Sequence, residues 1–542
     1  MRKSILFGFA ALTMVSCCNN SGCNLSCCDN SKNPVLTIEG GQVQGVKTET
    51  EGVLVYRGIP YAAAPIRDLR WKEPQPVQPW EGVKVCDRFA NPSYQHIQYK
   101  GGYYTEWGYG DEAPFSEDCL YLNVWTKASG KVDAKLPVAV WIHGGGYREG
   151  FGTEPEFDGQ EWGNKDVVLV TINYRLGVFG FLAHPELSAE SEHGVSGNYG
   201  ILDQIESLKW VKKNIAQFGG DPDNVMIFGQ SAGGGSVRTI CESPLARGLF
   251  HKAVIMSAGG LGGMGGGRMR MPAGFNFGNF GNRPAEKKIA AYKAPQAPEN
   301  LNALQRAEFN TKVIMDWAGY NTLAKMRAAE TEVMHTVGTI YSNATGNFGG
   351  ITAMPMVDGY VSRESFDEAA LDGTLADVPY MMGYTLDDMG DMSGGIAAFG
   401  LNRDSIGNKC YVYEFARPLP DDGSHPEVTQ RLKGAFHSSD LWFVFKSLKH
   451  CWRPWTQGDW DLSEKMLTAW TNFAKYSDPN GPQGGEWTPY TKENNKFMLF
   501  KLNDADAENS EMGDPIKSTL GGGFGFGMPA AAPAAAPAAP AK

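Results

Sequence analysis

The stretch "NVMIFGQSAGGGSV" (residues 224–237) runs an apolar segment, Val225 to Phe228, into a turn of small residues around one serine. An apolar run without alternation predicts a strand covered on both faces. The turn that follows, Gly229-Gln230-Ser231-Ala232-Gly233, has the G-x-S-x-G spacing of a nucleophile elbow, which holds a serine in a strained bend between a strand and a helix. A serine hydroxyl is a poor nucleophile unless its oxygen stands clear of the backbone and a base removes its proton. Small neighbours let strand and helix pass close together. The helix N-terminus then offers the Ala232 N–H and a favourable dipole to a developing oxyanion.

Outward from this turn the same pattern recurs. "LPVAVWI" (136–142), "DVVLVTINYR" (166–175), "KAVIMS" (252–257) and "VPYMMGY" (378–384) are nearly all apolar, and helical segments separate several of them. In "ILDQIESLKWVKKNIAQFGG" (201–220), Ile201, Ile205, Leu208, Val211 and Ile215 form one stripe at helical spacing and Gly219 stops it. Together these predict an α/β fold with a large, mostly parallel central sheet flanked by helices. Residues 34–62 alternate between apolar and polar with Gly-Gly punctuation, and predict a small N-terminal antiparallel sheet. A single catalytic domain is expected over residues 33–505. Within it, residues 257–284 form a glycine-rich surface loop, and residues 506–542 are expected to be a disordered Gly then Ala/Pro tail.

The first sixteen residues read as an export signal, with Arg2 and Lys3 ahead of an apolar run too short to span a bilayer. Met14-Val15-Ser16-Cys17 resembles the lipobox of bacterial lipoproteins, so Cys17 is the expected lipid anchor at the cell envelope, the alternative being a periplasmic or secreted protein. Residues 17–32 carry five of the ten cysteines without a histidine, and read as a tether, not a zinc site. A disulfide between Cys86 and Cys119 suits an exported protein, whereas Cys241, Cys410 and Cys451 sit among apolar residues as buried thiols. A net charge of −11 with no dense Lys/Arg cluster excludes an electrostatic grip on nucleic acid or anionic lipid. The expected partner is a small, neutral or weakly polar molecule, and membrane contact is expected only through Cys17.

A second motif completes the first. In "VAVWIHGGGYREG" (138–150) an apolar strand runs into His143-Gly144-Gly145-Gly146, where glycines let backbone N–H groups face an oxyanion. Gly145 and Gly146, with Ala232, are the expected oxyanion donors. With both motifs present, the chain resembles the type-B carboxylesterases, which include cholinesterases and para-nitrobenzyl esterases on the α/β-hydrolase fold. The resemblance extends over "YRGIPYA", "SEDCLYLNVW", "INYRLGVFGFL", "GNYGILDQ", "WVKKNIAQFGGDP" and "DPNG".

The resemblance implies a serine carboxylic ester hydrolase that works through an acyl-enzyme and needs no cofactor and no metal. It also implies the chain order nucleophile, acid, histidine. In "MMGYTLDDMG" (381–390), Asp388 stands where the family carries a glutamate, with Asp387 as the competing neighbour. Of His425, His437 and His450, the histidines beyond that acid, His437 in "GAFHSSDLWFVF" matches the family's histidine loop. The predicted triad is therefore Ser231, Asp388 and His437. Arg70 with Glu117, and Arg175 with Asp203, correspond to two structural ion pairs of the family, and Ser257 to a serine that orients the acid. Gln230 replaces a glutamate, which argues against a cationic choline ester. The aromatic loop 94–115, with five tyrosines and Trp107, is a candidate wall of the site entrance. Two further readings stay open: a feruloyl or acetyl esterase acting on oligosaccharide-linked esters, and, in another class, a cholinesterase-like binding protein without catalysis.

Overall fold

A computed structural model of the chain describes residues 33–97, 102–108, 114–262, 293–346, 351–503, 505–514 and 516. The strands, in chain order, are β1 (Val35–Ile38), β2 (Gly41–Gln44), β3 (Val46–Lys47), β4 (Leu54–Pro60), β5 (Val83–Val85), β6 (Tyr121–Thr126) and β7 (Leu136–Ile142). They continue with β8 (Val168–Ile172), β9 (Gly220–Gln230), β10 (Lys252–Met256), β11 (Tyr380–Thr385), β12 (Cys410–Phe415), β13 (Met498–Phe500) and β14 (Glu511–Met512).

The large sheet has the order β14-β13-β12-β11-β10-β9-β7-β8-β6-β4-β3. From β13 to β8 every neighbouring pair is parallel, and the remaining pairs on both flanks are antiparallel. The apolar runs read from the sequence are its centre, because a strand covered on both sides has no polar face to alternate with. On one side Val138, Val140, Ile142, Val225 and Ile227 pack in a cluster with Ile201, Ile205, Leu208 and Val211 of the helix Tyr199–Asn214. On the other, Trp141, Met226 and Phe228 join Leu462, Met466 and Trp470 of the helix Gln457–Tyr476.

The expected small N-terminal sheet is present, but it does not hold the whole segment. β1 and β2 pair antiparallel and β5 adds to β2 in parallel, while β3 and β4 leave to become the edge of the large sheet, β4 pairing with β6. The domain also does not stop at residue 505: β14 pairs antiparallel with β13, and Gly513 N–H donates to the Phe497 carbonyl at 2.8 Å. The signal peptide, the tether with Cys17, most of the glycine-rich loop 257–284 and the Ala/Pro part of the tail lie outside the described residues.

Cys86 and Cys119 are both buried and free, so the expected disulfide is not formed. Each thiol has its own setting. The Cys86 thiol lies 3.7 Å from the Lys84 carbonyl, and the Cys119 thiol interacts with Ser93. Burial pushes both thiols well above their ordinary range.

Both ion pairs carried over from the resemblance are present. Arg70 grips Glu117 through Nε and Nη2 at 2.7 and 2.5 Å and donates to the Met326 and Ala329 carbonyls. Arg175 grips Asp203 at 2.8 and 2.6 Å, and burial of both side chains is nearly complete.

Candidate active site

Each component of the site follows a different parallel strand. Gly144–Gly146 follow β7, Ser231 follows β9, Ser257 follows β10, and Asp388 lies in the turn after β11. These strands are neighbours, so their carboxyl ends form one rim, where open α/β sheets place their ligands.

Ser231 has φ 57° and ψ −123°, a backbone region costly for a non-glycine residue, and it directly precedes the helix Ala232–Glu242. The surroundings force this conformation. Ser231 N–H donates to the Met256 carbonyl of β10 at 2.9 Å, and the Ser231 carbonyl accepts from Gly235 N–H at 2.9 Å. A Cβ on Gly229 would lie 2.5 Å from the Gly233 carbonyl carbon, and one on Gly233 would lie 2.8 Å from the His143 carbonyl oxygen. Only hydrogens fit in that space. Gly145 and Gly146 adopt φ 93° and 62°, so the oxyanion loop also depends on conformations that side chains resist. Beneath it the His143 ring stacks on Tyr174 at 4.4 Å, and burial pulls its pKa down to about 4, which keeps it neutral.

His437 Nδ1 lies 2.6 Å from Asp388 Oδ1, and both side chains are almost wholly buried. Asp388 also accepts from Met389 N–H at 2.7 Å and from the Thr385 hydroxyl at 3.1 Å. Burial alone would raise this carboxyl. The His437 charge and hydrogen bond, the nearby Ser257 hydroxyl and the Met389 N–H outweigh it and hold the group below the ordinary aspartate range. Ser257 takes φ 49° to stand there, although its hydroxyl is not in a well-directed hydrogen bond.

The neighbouring Asp387 points elsewhere. Its carboxylate accepts Ala435 N–H at 2.8 Å and its own N–H donates to the Ala435 carbonyl at 3.0 Å. Asp387 thus pins the histidine loop while Asp388 meets the ring. His425 stacks on Trp452 at 4.1 Å and His450 faces Asp158 at 3.0 Å.

Two neighbours escaped the sequence. The Gln230 carboxamide nitrogen lies 3.2 Å from His437 Nε2, a contact that the loss of a charge at that position did not announce. Asp440, three residues after His437, is fully buried; its Oδ2 accepts from the Tyr413 hydroxyl at 3.2 Å and its Oδ1 has no hydrogen-bond partner among the described residues. Burial, then the charge of Asp388, push its carboxyl up to about 7. In the aromatic loop, the short helix Tyr103–Glu106 stacks Tyr103 on Trp107 at 5.1 Å and sets Tyr103 against Phe436, next to His437, at 6.1 Å. Glu106 binds Arg453 through both carboxylate oxygens at 2.7 and 2.8 Å, with neither side chain exposed. No group of three or more His, Cys, Asp or Glu side chains among the described residues is placed to hold a metal ion.

A mostly parallel sheet with a serine elbow on its rim defines the α/β-hydrolase class. The comparisons with known proteins narrow it. The Carboxylesterase family profile matches residues 32–283 and 391–514, well over half of the chain, and the chain belongs to that family. Liver carboxylesterase 1 of Mus musculus is 31% identical over 538 residues, covering 86% of this chain and 89% of that protein. Fumonisin B1 esterase of Sphingopyxis macrogoltabida is 45% identical over 226 residues, 42% of this chain and 40% of the relative. Among solved structures, the Geobacillus stearothermophilus carboxylesterase EST55 superposes with a TM-score of 0.65 at 28% identity, covering 88% of this chain and 97% of its own. The protein is a carboxylic ester hydrolase.

Proposed function

We propose that the chain hydrolyses its ester through an acyl-enzyme on Ser231. The observation that carries this reading is the 2.6 Å contact between His437 Nδ1 and Asp388 Oδ1, on the same sheet rim as the strained serine. With Nδ1–H donated to Asp388, the Nε2 lone pair of His437, which faces the Gln230 carboxamide in the resting site, is the base. Ser231 Oγ attacks the ester carbonyl as its proton passes to Nε2. The N–H groups of Gly145, Gly146 and Ala232 receive the charge on the carbonyl oxygen. Collapse of the tetrahedral species breaks the bond to the alkoxy group, which leaves as an alcohol with the proton from Nε2. Water then repeats the sequence on the acyl-enzyme and releases the acid. Asp388 holds the tautomer and stabilises the imidazolium. These steps use protein groups and water.

Within the ester class, the stacked Tyr103 and Trp107 beside Phe436 favour an ester with an aromatic group, the feruloyl reading, over acetyl. The test pairs Ser231→Ala with wild type on para-nitrophenyl acetate and methyl ferulate. The variant is expected to lose roughly 10⁵-fold in kcat with an unchanged thermal midpoint. Wild-type turnover by the folded variant rejects the triad, and a kcat/KM for methyl ferulate below that for its saturated aliphatic counterpart rejects the aromatic preference.

A further inference from the structure

Gln230 is buried, ends β9 and immediately precedes Ser231. Its carboxamide lies between two parts of the site. The nitrogen is 3.2 Å from His437 Nε2, and a Cβ added to Gly144 would lie 3.3 Å from its Oε1, so the oxygen faces the oxyanion loop. His437 Nδ1 is already committed to Asp388 at 2.6 Å, which leaves Nε2 as the acceptor of the neutral ring and a Gln230 N–H as the donor. The imidazole is therefore held at both nitrogens, by a carboxylate on one and a neutral amide on the other.

We propose that Gln230 is a positioning residue for His437: it fixes the ring from the Nε2 side and, being uncharged, adds no charge of its own to balance the imidazolium formed in catalysis, which Asp388 meets at Nδ1. This rests on the catalytic reading of His437. Two consequences follow from chemistry. An amide N–H on Nε2 stabilises the neutral ring but shares the lone pair that must accept the serine proton, so it gives way as Ser231 Oγ transfers that proton. Once Nε2 carries that proton, the same donor opposes it, so the contact favours returning the proton to the leaving group. The other charged and titratable groups around the ring are Asp388, Asp387, Asp440 on its own segment, Tyr413 from β12, Tyr103 from the aromatic loop, and Arg453, which lies 5.7 Å above the Phe436 ring and is neutralised by Glu106. Gln230 meets Nε2 itself, at 3.2 Å.

The experiment measures kcat/KM for para-nitrophenyl acetate from pH 5 to 9 in wild type, Gln230→Glu and Gln230→Met, with thermal midpoints to establish folding. An opposite charge this close stabilises a cation by about 1–3 pH units, so Gln230→Glu should move the acid limb upward by about one unit or more. Gln230→Met keeps the length but loses the hydrogen bond. It should move the limb upward by less than Gln230→Glu does, because the donor that favoured the neutral ring is gone, and lower the plateau kcat/KM by about tenfold, the worth of one such bond. A limb in folded Gln230→Glu that superimposes on wild type overturns the proposal, as does wild-type kcat/KM in Gln230→Met. The His437 ring nitrogens, followed by NMR in the same proteins, report the contact without turnover. A wild-type chain inactive on every ester would reject the catalytic reading instead, while ring signals that differ between wild type and Gln230→Glu would still support the Gln230 contact and identical ones would reject it.

Discussion

At Asp440 a carboxyl is buried beside a second carboxylate, with one oxygen unpartnered. Its folded pKa is raised from 3.8 to about 7 by burial first and Asp388 second. A raised acid binds its proton more tightly in the folded state. Its stabilising effect is therefore complete below about pH 4 and is lost as pH rises through about 7. Asp440→Asn removes that loss, so urea midpoints measured at pH 5 and 8 should show the variant gaining on wild type at pH 8 by on the order of a few kcal/mol. Chain order and motif made Ser231, Asp388 and His437 legible as candidates from sequence. Asp440 and the Gln230 contact were not, because both depend on what burial places opposite them. The choice between Asp387 and Asp388 was open for the same reason: adjacent residues point to opposite sides, and only the fold tells which side holds the ring.

At the scale of elements, the junction of β9 with the helix Ala232–Glu242 depends on the absence of side-chain carbon. A Cβ on Gly233 would press on the carbonyls of Ile142 and His143 at the end of β7, the strand that leads into the oxyanion loop. Gly233→Ala must therefore push β7 and the elbow apart. We expect a loss of about 1–3 kcal/mol, typical of overpacking, with a disproportionate fall in kcat, read by calorimetry and para-nitrophenyl acetate turnover. The central strands β7, β8, β9, β10 and β11 could be read from their apolar runs. The edges could not. Alternation identifies a half-exposed strand but not the sheet it joins, so the pattern alone groups β4 with β1 and β2 where the fold pairs it with β6, and two-residue β14 has no run to recognise.

Across the whole molecule, buried ion pairs tie together segments far apart in the chain. Glu106 and Arg453 are separated by 347 positions, and their pairing holds the aromatic loop against the segment that follows the histidine. Removing one partner leaves a buried charge without its counterion, which typically costs about 3–5 kcal/mol, whereas removing both leaves neither. Arg453→Met alone should destabilise by about that amount, and Glu106→Gln with Arg453→Met should recover part of it, as thermal or urea unfolding will measure. If the single and double variants are equally unstable, the pair is not coupled in this way.

The order of strands has one more bearing. Because oxyanion loop, serine and acid each leave a different member of the inner ladder, their separations are inherited from interstrand spacing of about 4.8 Å instead of being set by loop length. Turnover therefore reports on the integrity of that inner ladder and is blind to fraying of β3 or β14 at the margins. Partial melting that begins at those margins would be visible to spectroscopy while the enzyme still works at full rate.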